Sequence, residues 1–234
     1  MELTPVGPCG RWQCLCGRYS LGTELAPVLA RFGVTTPAFP WQPRWNIAPG
    51  QEVPVVKAAD GRVLIAMGWG LTPPWAKPGF HPINLRSETL LAKPAFRELG
   101  LRQRCLLPAD GFYEWDADKQ PWRFALPDGE LFGLAGVWTE REGRYTCAVL
   151  TRPSVGAVAA VHERMPLIVP QQVEEEWLAG TEVEQLLDIL RGPAWVPVLE
   201  RRRVSRRINS ARAEGPECAL PWEEAMPQDA RPPR

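Results

Sequence analysis

Residues 104–151, RCLLPADGFYEWDADKQPWRFALPDGELFGLAGVWTEREGRYTCAVLT, decide the fold. Five strand-like runs, rich in aromatic and branched residues, lie in this stretch: 104–108, 111–116, 121–126, 131–138 and 145–151. Turn signals at Asp118 to Pro121, Pro127-Asp128-Gly129 and Glu142-Gly143 separate four of them. Connections this short join antiparallel neighbours, because parallel strands need a long crossover.

Upstream, Val53–Lys57 and Arg62–Gly68 read as two strands joined at Asp60-Gly61. Thr23 to Phe32 reads as a short helix with Thr23 as N-cap and Gly33 past its end. Residues 34–51 form a Pro- and Trp-rich loop. Residues 69–83, WGLTPPWAKPGFHPI, form a long loop with four prolines, a length usually reserved for function. Ser87 is expected to cap a helix reaching Leu99, kinked at Pro94 and stopped by Gly100. Downstream, 166–169 reads as a strand, and 171–179 and 181–191 as helices, the second capped by Thr181 and closed by Gly192. Val196–Leu199 reads as a strand that runs into a basic loop ending near Asn209. The expectation is one α+β domain over 16–222, with a mostly antiparallel, curved or barrel-like sheet and a few short peripheral helices. Residues 1–15 read as an N-terminal extension and 223–234 as a polar, Pro-rich, disordered tail.

A chain of 234 residues can build one full core. Its 27 basic residues balance 27 acidic ones, so net charge does not argue for a nucleic-acid partner; local charge must do so. The 26 prolines favour short elements, and 11 tryptophans against 3 tyrosines fit either a rich core or base-stacking surfaces. No apolar run is long enough to span a bilayer, and MELTPVGPCGRWQCL lacks a signal-peptide pattern. A cytoplasmic, reducing location is expected, nucleoid-associated when DNA is bound, with the six cysteines as thiols. Cys9, Cys14 and Cys16 lack a second ligand pair, so no zinc module is read. No nucleotide, metal or flavin motif calls for a cofactor, and nothing calls for more than a monomer.

Four islands carry chemistry: Cys16-Gly17-Arg18-Tyr19, Asn84-Leu85-Arg86-Ser87-Glu88-Thr89, Asp110-Gly111-Phe112-Tyr113-Glu114-Trp115 and His162-Glu163-Arg164-Met165-Pro166. Read singly, each has a bland account: a buried thiol, a helix-capping amide, a solvent-facing carboxylate and a surface imidazole. Phe112 and Glu114 share one strand face while Tyr113 and Trp115 share the other, so flanking aromatics favour partial burial of Glu114 and a raised pKa. Together a thiol, a carboxyl, an imidazole and an amide fit nucleophilic catalysis with general acid–base help. Spacing alone does not choose between a cysteine hydrolase and another reaction.

The chain resembles the SRAP family, the SOS-response-associated peptidase proteins that shield abasic sites. The matching segments run in order: CGRYSL (16–21), RWNIAPGQ (44–51), WGLTPPWAK (69–77), INLRSET (83–89), RCLLPADGFYEW (104–115), LAGVW (134–138), HERMP (162–166) and VSRRINSAR (204–212). The resemblance implies that Cys16 is an N-terminal nucleophile that captures abasic sites in single-stranded DNA as a thiazolidine. It implies that Glu114 moves protons, that His162 holds a sugar hydroxyl or relays a proton, and that Asn84 orients the Cys16 amine. It further implies that Arg86 and Arg164 hold phosphates, with Arg18 beside them, and that Asn46, Pro49, Trp69 and Trp75 border the DNA path. Five arginines between Arg201 and Arg207 read either as a solvated strand or as a phosphate track.

The chain departs from the family pattern in one respect that matters. Fifteen residues precede Cys16, and an internal cysteine has no free α-amine with which to close a thiazolidine. Three accounts follow: translation that starts at Leu15, self-excision of the leader by Cys16, or a leader that stays on a non-covalent binder. Leu85 stands where the family tends to have a small residue, and is expected to pack inward. Ser210 stands where the family often has Pro. Two rival functions remain, a thiol peptidase acting on itself or on other proteins, and a passive single-strand binder.

Overall fold

A computed structural model describes residues 16–193 and 195–222 of the chain. The expected N-terminal extension and C-terminal tail lie outside the described residues. Thirteen strands follow in order: β1 (Tyr19–Leu21), β2 (Arg44–Ile47), β3 (Glu52–Ala59), β4 (Gly61–Trp69), β5 (Asn84–Arg86), β6 (Arg104–Ala109), β7 (Gly111–Trp115), β8 (Pro121–Ala125), β9 (Phe132–Arg141), β10 (Arg144–Pro153), β11 (Arg164–Pro166), β12 (Ile168–Val169) and β13 (Glu200–Arg203). Five helices accompany them: α1 (Leu25–Phe32), α2 (Pro94–Arg102), α3 (Gly156–Ala159), α4 (Glu174–Ala179) and α5 (Val183–Arg191).

The strands form two sheets. In the larger one, β10, β4, β3, β6 and β9 pair in succession, and β9 pairs back onto β10, which closes a five-stranded ring. Closure leaves these strands without a free edge. β5, β11 and β12 are added to this ring, and only the β10 pairings with β4 and β5 are parallel. The smaller sheet runs β13-β8-β7-β1-β2 and is antiparallel throughout. One apolar core takes Tyr19, Phe112 and Phe124 from the smaller sheet and Val55, Leu106 and Val149 from the ring. A second cluster of Tyr113, Val204, Ile208 and Cys218 lies under Trp45 and Trp115 and anchors the segment after β13.

Local chemistry explains the turns. Glu142 and Gly143 both have positive φ, 54° and 76°, as a two-residue hairpin matched to strand twist requires. Gly33 closes α1 in the left-handed region at φ 62°. The α+β class and the barrel-like antiparallel sheet stand as expected.

Several local expectations are corrected. Thr23 does not cap α1: its hydroxyl donates to Asp110 Oδ2 at 3.3 Å, and Glu24 holds the N-cap position. Ser87 opens only a 3-10 turn to Thr89, and Pro94 starts α2 instead of kinking it, because the first helical position needs no N–H partner. Gly100 lies inside that helix, where a Cβ would come within 2.8 Å of Leu91. The late strand is Glu200–Arg203, not 196–199, since it pairs with β8 in the register Arg203 to Trp122. Among the described residues no helix is long and apolar enough to cross a membrane.

Candidate active site

The pairing of β1 with β7 sets the centre of the site. Tyr19 lies opposite Phe112, and Tyr113 N–H donates to Arg18 O at 3.0 Å. This register carries the chain just before β1 past Glu114, so Cys16 and Glu114 meet although they are distant in sequence. Glu114 is only 1% exposed and Cys16 only 3%. The thiol and the backbone N–H of Cys16 both donate to the Glu114 carboxyl. Burial disfavours the carboxylate and raises its pKa to about 8, and the two Cys16 hydrogen bonds offset only part of that. The Cys16 thiol is itself pushed well above the ordinary thiol range, first by burial and then by the neighbouring Glu114 charge. Among the described residues, nothing hydrogen-bonds the buried Glu114 Oε1. A fixed acceptor of that kind can be satisfied by an incoming polar group.

β10 organises the other half. It holds β5 in parallel, with Val149 opposite Asn84 and Thr151 opposite Arg86, and β11 antiparallel, with Pro153 opposite Arg164. Asn84 Nδ2 donates to Cys16 O at 3.4 Å, so the amide touches the nucleophile's carbonyl. His162 Nδ1 lies 3.8 Å from Glu114 Oε2. The same nitrogen is 3.1 Å from both the backbone N and the O of Arg164, which fixes the ring. Cys16, Asn84, Glu114 and His162 are therefore one cluster.

The residues expected along a DNA path fall into two groups. Arg86 and Trp75 are exposed; Trp75 is 50% exposed and stands in an aromatic group with Phe80 at 5.5 Å and Phe96 at 5.8 Å. Pro49 is half-buried in the turn after β2. The remaining members are held inside the protein. Trp69 is 1% exposed, donates to Ile83 O at 2.9 Å and meets Tyr19 edge-on at 5.4 Å, so its ring belongs to the core and offers no face to a base. Arg18 donates to Asn46 Oδ1 at 2.6 Å and Ile208 O at 2.5 Å, and Asn46 donates to Ser210 O at 2.9 Å and Ala213 O at 2.6 Å. These two side chains bind the 205–213 segment beside the nucleophile. Arg164 is buried against Glu88 and Thr151. Leu85 packs inward. Two of the exposed arginines of β13 stack on one ring, Arg201 and Arg203 each lying 5.2 Å from the centroid of Trp122.

Sequence reasoning gave no role to Glu88, Thr151 or Asp110. Asp110 anchors the strand behind the nucleophile: it accepts from Ser20 at 2.6 Å and Gly22 N–H at 2.5 Å, and pairs with buried Arg123 at 2.8 Å. An acid within each Arg-bearing or aromatic island was the available signal. Among the described residues no group of three His, Cys, Asp or Glu side chains could hold a metal ion.

The chain is similar to known proteins. Residues 15–211 match the family described as SOS response associated peptidase. The chain is 34% identical to abasic site processing protein YoqW of Bacillus subtilis, over 87% of this chain and 98% of that protein. It is 29% identical to abasic site processing protein HMCES of Gallus gallus, over 95% of this chain and 80% of that one. A crystal structure of a Bacteroides thetaiotaomicron protein shares the fold, with TM-score 0.73 and 21% identity over 83% of this chain and 95% of that one.

Proposed function

The chain belongs to the SOS response associated peptidase family, and from that premise we propose that it captures abasic sites in single-stranded DNA through Cys16. The observation that carries this reading is the buried Glu114 carboxyl in contact with both the thiol and the main-chain nitrogen of Cys16. Once that nitrogen is a free amine, two nucleophiles and one proton carrier occupy a single point.

The chemistry balances without a cofactor. The neutral amine adds to the C1′ aldehyde of a ring-opened abasic sugar and gives a carbinolamine. A carboxyl of pKa about 8 is protonated at neutral pH, so Glu114 can donate as the hydroxyl leaves as water and the imine forms. The nitrogen keeps its proton in the imine, the Cys16 sulfur adds to the imine carbon, and the thiol proton returns to the Glu114 carboxylate and restores the acid. The product is a thiazolidine, and one water has been lost. Asn84 steadies the Cys16 carbonyl, and His162 holds a sugar hydroxyl. Arg86 and Trp75, both exposed, supply a phosphate contact and a stacking face.

A free amine requires that residues 1–15 be absent, whether by initiation at Leu15 or by self-excision. One feature favours self-excision: Cys16 has φ 48°, a left-handed conformation that costs a side-chain-bearing residue on the order of 1–2 kcal/mol. Excision would remove the peptide bond that defines that angle. Intact-mass analysis of the purified chain and a Cys16→Ser variant tests this; a leader that persists equally in both rules self-excision out.

Capture itself is tested on a denaturing gel with single-stranded DNA bearing one abasic site. The samples are protein beginning at Cys16, the 234-residue form and a Cys16→Ala variant. A denaturant-stable band only with exposed Cys16 supports the reading. No band from any form removes the covalent chemistry and leaves a thiol peptidase as the better account.

A further inference from the structure

Arg164 is buried beside the nucleophile, yet its binding edge is already filled. Its side chain is 8% exposed, whereas that of Glu88 is 36% exposed. Both Glu88 oxygens contact the guanidinium, Oε1 at Nη1 and Oε2 at Nη2 at 2.9 Å. Nη2 also donates to Thr151 O at 2.9 Å and Thr151 Oγ1 at 3.0 Å. Thr151 pairs with Arg86 of β5 and with Pro166 of β11, so this end of the arginine is fixed to the sheet. The charge of Arg164 is felt at the Cys16 thiol.

We propose that the Glu88 carboxylate is an internal stand-in for phosphate, occupying the Arg164 fork in the free protein until a DNA phosphate displaces it. This rests on the DNA-binding reading given above. A guanidinium takes carboxylate and phosphate in the same two-pronged geometry, so one can replace the other without rearranging Arg164. The partner free to leave is Glu88. It is half-exposed, stands on the short Ser87–Thr89 turn, and apart from Arg164 its partners among the described residues are local, Ser87 Oγ at 3.2 Å and its own backbone N–H. Burial would raise its pKa, but the Arg164 contacts outweigh burial and hold it at about 2, so the side chain carries a full charge at neutral pH. A phosphate that approaches before Glu88 has moved meets that charge. Glu88 thus selects for strands whose backbone can sink to the depth of Cys16, and it disfavours casual contact with intact DNA.

The test is equilibrium binding of the 234-residue chain to an intact single-stranded oligonucleotide, read by fluorescence anisotropy over a range of salt. Glu88→Gln keeps the shape and removes the charge. It is expected to bind at least about fivefold tighter, the effect of one like charge about 4 Å from a phosphate when the pair is screened as in bulk water. Its plot of log affinity against log salt should steepen by about 0.7, the value of one further phosphate neutralised on a single strand. Adding Arg164→Gln should cancel both changes, and thermal melts confirm that each variant is folded. Equal or weaker binding by Glu88→Gln, with an unchanged slope, overturns the proposal while the DNA reading stands. Absence of binding by wild type and variant alike removes the DNA reading, and this inference with it.

Discussion

Glu114→Gln in the full chain should separate the stability of the fold from pH in a defined window. Burial raises Glu114 from 4.5 to about 8, so the folded chain keeps a proton that the unfolded chain has released. A raised carboxyl pKa costs stability as pH climbs: there is no cost below about 4.5, a growing cost up to about 8, and a constant cost above. At about 1.4 kcal/mol for each pH unit between the two values, the full effect approaches about 5 kcal/mol. A neutral amide escapes it. Wild type and Glu114→Gln should therefore have similar unfolding free energies near pH 4.5, whereas by pH 8.5 the variant should be several kcal/mol more stable. Urea unfolding at a series of pH values measures both curves, and titrating groups remote from Glu114 cancel in the difference. Two parallel curves between pH 5 and pH 8.5 would refute the burial argument and, with it, the use of Glu114 as a neutral acid. The same variant, begun at Cys16, should lose crosslinking rate by roughly 10²–10⁴-fold, the usual contribution of a placed acid–base group.

Other substitutions separate structural from DNA-facing roles. Trp69→Ala should cost roughly 3–5 kcal/mol in chemical denaturation, since a fully buried indole leaves a cavity. Trp75→Ala should stay within about 0.5 kcal/mol of wild type in stability. In DNA titrations it should lose about 1–3 kcal/mol of affinity through lost stacking; unchanged DNA affinity would remove Trp75 from the path. Asp110→Ala should cost about 3–5 kcal/mol, because it strands the buried Arg123 charge; a loss below ~1 kcal/mol in urea unfolding would contradict a buried pair. Arg18→Ala should speed hydrogen exchange selectively in residues 206–213, whose carbonyl at Ile208 it holds.

The strand sequence from 104 to 151, the hairpin turns and the four chemical islands were legible in the sequence, because period-two patterning and turn residues are local properties. Gly33 and the Glu142-Gly143 turn could be read for the same reason: only certain residues adopt those backbone angles at low cost. The starts of the helices at 25 and 94 and the position of β13 were not legible, since a competing tertiary partner or register decided each. The same limit applied to the site. Alternation placed Glu114 on one strand face, but its depth depends on β1 crossing β7 and carrying Cys16 over it. An arginine in a motif is a cation by sequence alone; whether it is exposed, like Arg86, or already engaged, like Arg18 and Arg164, depends on segments far away in the chain. Residue type determines what chemistry a side chain can do. The closed ring and the sheet packed against it determine which polar groups lose water and which partners they meet, and those long-range terms set pKa and availability.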